Sequence, residues 1–137
     1  MINKLILLLA GHMLCDYPLQ GDFLAVGKNR NIGTCFCGKR ISRVKSSLGD
    51  YWADGPEVCK DNHWHKPIPA AIQWWHCLTA HALIQAGMVY LITGSVWFFV
   101  AELAIHWITD FGKCEKWFGI NVDQGIHAAC KIAWAIL

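Results

Sequence analysis

The sequence predicts an all-α protein: a polytopic membrane four-helix bundle with a cytoplasmic insertion between helices 1 and 2. Three observations carry that expectation. Apolar segments run from about Ile2 to Cys15, Ile68 to Ile92, Val96 to Phe111 and Ile120 to Leu137. Hydrophobic residues make up 55% of the 137 positions, with eight tryptophans, well above an ordinary soluble domain. Between Ala70 and Ala101 there is no acidic or basic residue, a run that a soluble helix pair seldom tolerates.

Residues 1–17 are read as the first membrane helix. Lys4 followed by an apolar run resembles a secretory signal, but no small-x-small cleavage site follows, so the segment is retained. Residues 18–67 form a polar Cys/His-containing insertion rich in Lys and Arg, Lys28 and Arg30 among them. Residues 68–137 supply three further helices that complete one bundle. A spanning helix needs roughly 20 residues, with a lower limit near 17. The second segment meets that, the third and fourth are marginal, and the first is short. Thr93-Gly94-Ser95 is a tight turn, and Lys113 to Gly119 joins the last two helices. By the positive-inside rule, the insertion and the Lys113/Lys116 turn face the cytoplasm of an inner membrane. A formal charge of +2 is too small to argue for nucleic acid. The lipid bilayer is the expected partner, and a bundle this small suits pairing into a homo-oligomer.

Within these apolar segments lie three acid–histidine pairs at four-residue spacing: His12/Asp16, His106/Asp110 and Asp123/His127. Residues four apart share one helix face, so each pair aims an imidazole and a carboxylate at one point. In an up-down-up-down bundle these helix ends meet at one face, and the ligand-type residues converge at one depth. Glu102, His106, Asp110 and Lys113 continue a single stripe, and an acid in mid-membrane is rarely accidental. His76 and His81 are five apart, about 140° around a helix, so only one points inward.

Imidazole with carboxylate suits zinc, with manganese or iron as alternatives. The expected ligands to a divalent metal are His12, Asp16, His81, His106, Asp110, Asp123 and His127. That is more than one tetrahedral ion needs, so two ions, or one ion with orienting carboxylates, fit the set. Asp16 or Asp123 would serve as general base on a metal-activated water, and Lys113 would offset phosphate charge. The bland reading is a polar cluster that glues helices together. A second zinc site is expected from Cys35, Cys37, Cys59 and His63 in the insertion. Its one-residue Cys-Cys gap departs from the usual spacing, and free thiols or a disulfide are the other readings.

The segments HMLCDYPLQGDF with Lys28 downstream, HALIQ, HWITDFGK and DQGIH resemble the domain-of-unknown-function family 3307, a group of small phage and bacterial membrane proteins. The resemblance covers most of the chain outside the insertion. It marks His12, Asp16, Gln20, His81, His106, Asp110, Lys113, Asp123, Gln124 and His127, and so implies His81 rather than His76. The motif style is similar to the YdjM-like membrane-bound metal-dependent hydrolases and, more distantly, to the zinc-dependent phospholipase C group. Those likenesses imply a phosphoesterase acting on a lipid or amphiphilic phosphate. The alternative is a non-enzymatic membrane module: a metal or proton conduit, or a phage effector that binds a host membrane protein.

Overall fold

Helix breakers and caps decide where each apolar run begins and ends. The computed structural model describes residues 1–34, 40–44, 51–53 and 74–137. α1 (Ile2–Asp16) stops at Tyr17, because Pro18 cannot continue a helix and crowds the residue before it. α2 (Gly21–Gly27) is one short helix inside the predicted insertion. It is followed by a small antiparallel meander of β1 (Ile32–Thr34), β2 (Arg40–Val44) and β3 (Tyr51–Ala53). Gly33 pairs with Ile41, and Arg43 pairs with Trp52. The all-helical expectation therefore holds for the body of the molecule, while the insertion adds strand pairing that the sequence reading left unassigned. Cys35, Cys37, Cys59 and His63 lie outside the described residues.

α3 (Trp74–Thr93) and α4 (Val96–Cys114) are joined at Gly94, whose φ of +69° closes the turn. Ser95 Oγ caps α4 by accepting from Phe98 N at 3.3 Å. At the far end of α4, Trp117 N donates to Gly112 O and Lys116 N to Lys113 O, both at 3.0 Å. That is a Schellman closure in which Lys116, at φ +62°, occupies the position usually given to glycine. α5 (Ile120–Ile136) follows.

The four long helices close a ring: α3 packs on α1 and α4, and α5 packs on α1 and α4. At one end a dry cluster of Leu8, Val89 and Ala135 is covered by Leu5, Ile92, Phe98 and Trp134. Phe98 and Trp134 stack there with ring centroids 5.1 Å apart. Gly11 lets α1 lie close to α3, since a Cβ at that position would come within 2.7 Å of Met88 Cγ. Toward the other end the interior turns polar. His12, His81, Gln85, Glu102, His106, Asp110, Asp123, His127 and Lys131 are all buried. The outside is apolar by contrast: Ile6, Leu7, Leu91, Trp97, Val100 and Ile108 are each more than half exposed.

Among the described residues, no helix is long and apolar enough to cross a membrane. The expectation of individually spanning helices therefore finds no support. The physical reason differs by helix: α1 and α5 are short, at 15 and 17 residues, while His76, His81 and Gln85 in α3 and Glu102, His106, Asp110 and Lys113 in α4 lower the hydropathy of the two longer ones.

Candidate metal centre

Two helices supply parallel stripes. Glu102, His106 and Asp110 rise along α4 in steps of four, and Asp123, His127 and Lys131 do the same along α5. α1 adds His12 and Asp16, α3 adds His81 and Gln85, and the end of α2 delivers Lys28. The seven ligand positions predicted within the bundle therefore meet in one interior. The imidazoles are in direct contact: His106 stacks on His127 with centroids 4.0 Å apart, and His81 meets His106 edge-on at 5.0 Å.

Three ligand atoms gather around one point, with a fourth beside them. His81 Nε2 lies 3.1 Å from His106 Nε2, 3.2 Å from Asp16 Oδ1 and 3.3 Å from Asp110 Oδ2. His106 Nε2 lies 4.0 Å from Asp16 Oδ1 and 3.8 Å from Asp110 Oδ2. A tetrahedral ion with bonds of about 2.0–2.2 Å separates its ligand atoms by about 3.3–3.6 Å; Asp16, His81 and His106 come close to that spacing, while Asp110 Oδ2 is held by Lys28 Nζ at 2.5 Å. Beside it, His127 Nε2 lies 3.5 Å from Asp123 Oδ1 and 4.0 Å from Asp110 Oδ1. Three groupings have ligand atoms close enough to hold an ion: Asp16/His81/His106, Glu102/His106/His127 and Asp110/Asp123/His127.

Several buried polar atoms here have no hydrogen-bond partner. They include both ring nitrogens of His127 and Asp123 Oδ1. Buried polar atoms are nearly always bonded, and an unpaired one costs roughly 1–3 kcal/mol. Among them His127 Nε2 and Asp123 Oδ1 face each other at 3.5 Å, as ligands of one cation would. The donor set fits a divalent metal.

Around this core lies a frame of charges and amides. Lys28 Nζ donates to Asp110 Oδ2 at 2.5 Å, while Lys113 Nζ donates to Asp110 Oδ1 at 2.7 Å and Asp123 Oδ2 at 2.8 Å. Lys131 Nζ and Trp134 Nε1 both donate to Glu102, the latter at 2.8 Å. Four carboxylates (Asp16, Glu102, Asp110, Asp123) thus face three ammoniums (Lys28, Lys113, Lys131), leaving one negative charge for a bound cation to neutralise. The amides hold the carboxylates in place. Gln85 Nε2 donates to Asp16 Oδ1, and Gln124 Nε2 donates to Asp16 Oδ2 at 2.9 Å. The Gln20 amide, with its nitrogen on Asp16 O and its oxygen accepting from Lys28 Nζ at 2.7 Å, ties the end of α1 to the start of the insertion.

His12 has a different environment from the other histidines. Its ring nitrogens face the amide oxygens of Gln85 at 3.2 Å and Gln124 at 3.3 Å, and it belongs to none of the three ligand groupings. His76 is exposed and stacks on Trp75; His81, fully buried, is the inward histidine of α3.

Three residues of the frame are not among the predicted ligands or bases. Lys131 continues the four-residue run from Asp123 and His127, a signal present in the sequence. Gln85 lies four residues past His81 on the same face. Lys28 follows the first motif, and nothing local to it points at Asp110. The outer rim is pinned as well: Arg30 makes a paired contact with Glu115 at 2.7 and 2.8 Å, which holds its guanidinium above its usual pKa. Asn31 Nδ2 donates to Cys114 O at 2.9 Å. Arg30 also lies 5.1 Å over the Phe111 ring.

No family model matches the chain, and no curated protein or solved structure matches it either.

Proposed function

We propose that this chain is a membrane-embedded, metal-dependent hydrolase that cleaves a phosphate ester of a lipid or other amphiphile, with zinc as the favoured ion and manganese or iron as alternatives. The observation that carries the reading is the buried set of Asp16, His81 and His106, with Asp110 between it and the orphaned pair Asp123 and His127. A bound divalent ion supplies an acidified water near neutral pH and charge stabilisation for a phosphoryl group. The chain's own groups do the rest. Asp123 Oδ1, free of any hydrogen bond, is placed to take a proton, and Asp16, held by Gln85 and Gln124, is the second candidate base. Lys28 and Lys113 present ammoniums on the same side, suited to a phosphate oxygen. In the overall reaction, water oxygen joins phosphorus, the ester P–O bond breaks, and the leaving oxygen departs with a proton.

Membrane embedding rests on the inverted arrangement of the bundle. Ionisable groups are enclosed and large aliphatic and aromatic side chains face outward, the reverse of what a soluble monomer presents. Window-averaged hydropathy counts the buried His81, Gln85, Glu102, His106 and Asp110 against the helices that carry them, although these residues would not touch lipid. The cytoplasmic orientation and the resemblance to family 3307 and the YdjM-like hydrolases belong to the same proposal. A cation or proton conduit is disfavoured. Glu102 is already held by Lys131 and Trp134, and Trp134 packs on the dry Leu8/Val89/Ala135 cluster that would block a path.

The test is turnover of phosphate mono- and diesters in mixed micelles by detergent-purified protein, with zinc or manganese added after chelation. Phosphate release that depends on the metal and falls by about 10–100-fold or more in Asp16→Ala and His106→Ala supports the reading. Variants that bind metal yet match wild type on every ester would sink it.

A further inference from the structure

We propose that the centre takes two divalent cations in order, with Asp110 as the carboxylate between them and Lys113 as the group the second ion displaces. This deepens the metal-centre reading and rests on it. The groupings Asp16/His81/His106 and Asp110/Asp123/His127 share no residue. Asp110 connects them through its two oxygens. Oδ2 faces the first grouping, 3.3 Å from His81 Nε2, and Oδ1 faces the second, 4.0 Å from His127 Nε2. Carboxylates that span two ions in hydrolytic centres present their oxygens this way, at metal separations of about 3.5–4 Å.

The second grouping has its own mark of an ion site. His127 is 1% exposed, neither of its ring nitrogens is bonded, and Nε2 points at an equally unbonded Asp123 Oδ1. Orphans of this kind, in a pocket with two carboxylates, are expected to be satisfied by a ligand that accepts lone pairs from both.

The two positions differ in what already occupies their charge. Lys113 Nζ bonds Asp110 Oδ1 and Asp123 Oδ2, two of the three residues of the second grouping. Among the described residues, no lysine contact falls on Asp16, His81 or His106; Lys28 Nζ meets the first position only at the bridging Asp110 Oδ2, at 2.5 Å. An ammonium and a divalent cation draw on the same oxygen lone pairs, so Lys113 competes for two of the three residues of the second position, while the three residues of the first carry no ammonium of their own. The first ion binds tightly; the second binds more weakly until it drives Lys113 off the carboxylates. Lys113 is 23% exposed, so its released ammonium can turn outward toward a phosphate.

Zinc is titrated calorimetrically into chelator-stripped full-length protein in detergent, with native mass spectrometry counting the ions. Wild type should bind two equivalents, the second at least about tenfold more weakly. Lys113→Met should tighten the second step by about tenfold and leave the first unchanged, as should Lys113→Gln. His127→Ala should lose the second equivalent alone, and Asp123→Asn provides the same check without shortening the side chain. One equivalent in wild type, or a second step indifferent to both Lys113 variants, overturns the proposal. The hydrolase reading fails separately: two ordered equivalents without ester turnover would leave this inference standing, and turnover with a single ion would do the reverse.

Discussion

The two ends of this bundle are built from the same four helices but held together in different ways. At the Gly94 end, Leu8, Val89 and Ala135 pack dry under Phe98 and Trp134, and stability comes from apolar contact and close helix approach at Gly11. At the other end the helices are joined through Asp110, Asp123, Asp16 and the lysines and amides bonded to them. Buried ion pairs stabilise little over apolar packing, because desolvation offsets most of their attraction. A fold needing only cohesion would have continued the dry packing. The polar end is therefore where the proposed chemistry sits, and the dry end holds the helices together beside it.

That contrast can be broken at several points. The largest effect is expected from Asp110→Ala, which leaves the buried Lys28 without its carboxylate and Lys113 with Asp123 alone. We expect a loss of about 3–5 kcal/mol on denaturant unfolding in detergent, together with loss of bound metal. Leu8→Ala should cost about 2–4 kcal/mol by opening a cavity in the dry cluster, yet leave metal stoichiometry at the wild-type value. A fall in metal content there would mean that the two ends are not separable. Saturating zinc at about 100 times Kd should raise stability by about 2.7 kcal/mol, read as a shift in melting temperature that His127→Ala reduces. Arg30→Ala strips two hydrogen bonds from Glu115, whose side chain is 4% exposed, and should cost about 1–2 kcal/mol. Lys116→Gly should move the other way. It relieves a left-handed lysine in the α4 Schellman closure and should stabilise by about 0.5–1 kcal/mol.

Much of the polar end was legible because helix geometry is periodic. Pairs at four-residue spacing place His106 with Asp110 and His127 with Asp123 before any tertiary contact is known, and alternating helix direction brings their ends together. Spacing alone says of His81 and His76 that one must face outward; the resemblance of HALIQ to family 3307 is what points to His81. What was not legible depends on long-range pairing. Lys28 reaches Asp110 across 82 positions of sequence, by way of α2 and the Gln20 amide. Gln85 reads as neutral packing until Asp16 is set opposite it. Lys131 was readable, since it extends the Asp123/His127 run, but a lone lysine in an apolar helix suggests snorkelling to the surface rather than a partner at Glu102. The apolar excess was legible as composition; which faces carry it, and how the helices enclose their charges, required the fold.

The central claim is that the buried histidines and carboxylates form a metal site rather than a helix-packing cluster. Elemental mass spectrometry on detergent-purified protein tests it most directly. Wild type is compared with the His106→Ala/His127→Ala double variant, and with Leu8→Ala as a control destabilised away from the site. The account expects zinc or manganese in wild type and in Leu8→Ala, and its loss in the double variant. Metal absent from wild type, or retained undiminished in the double variant, would contradict it.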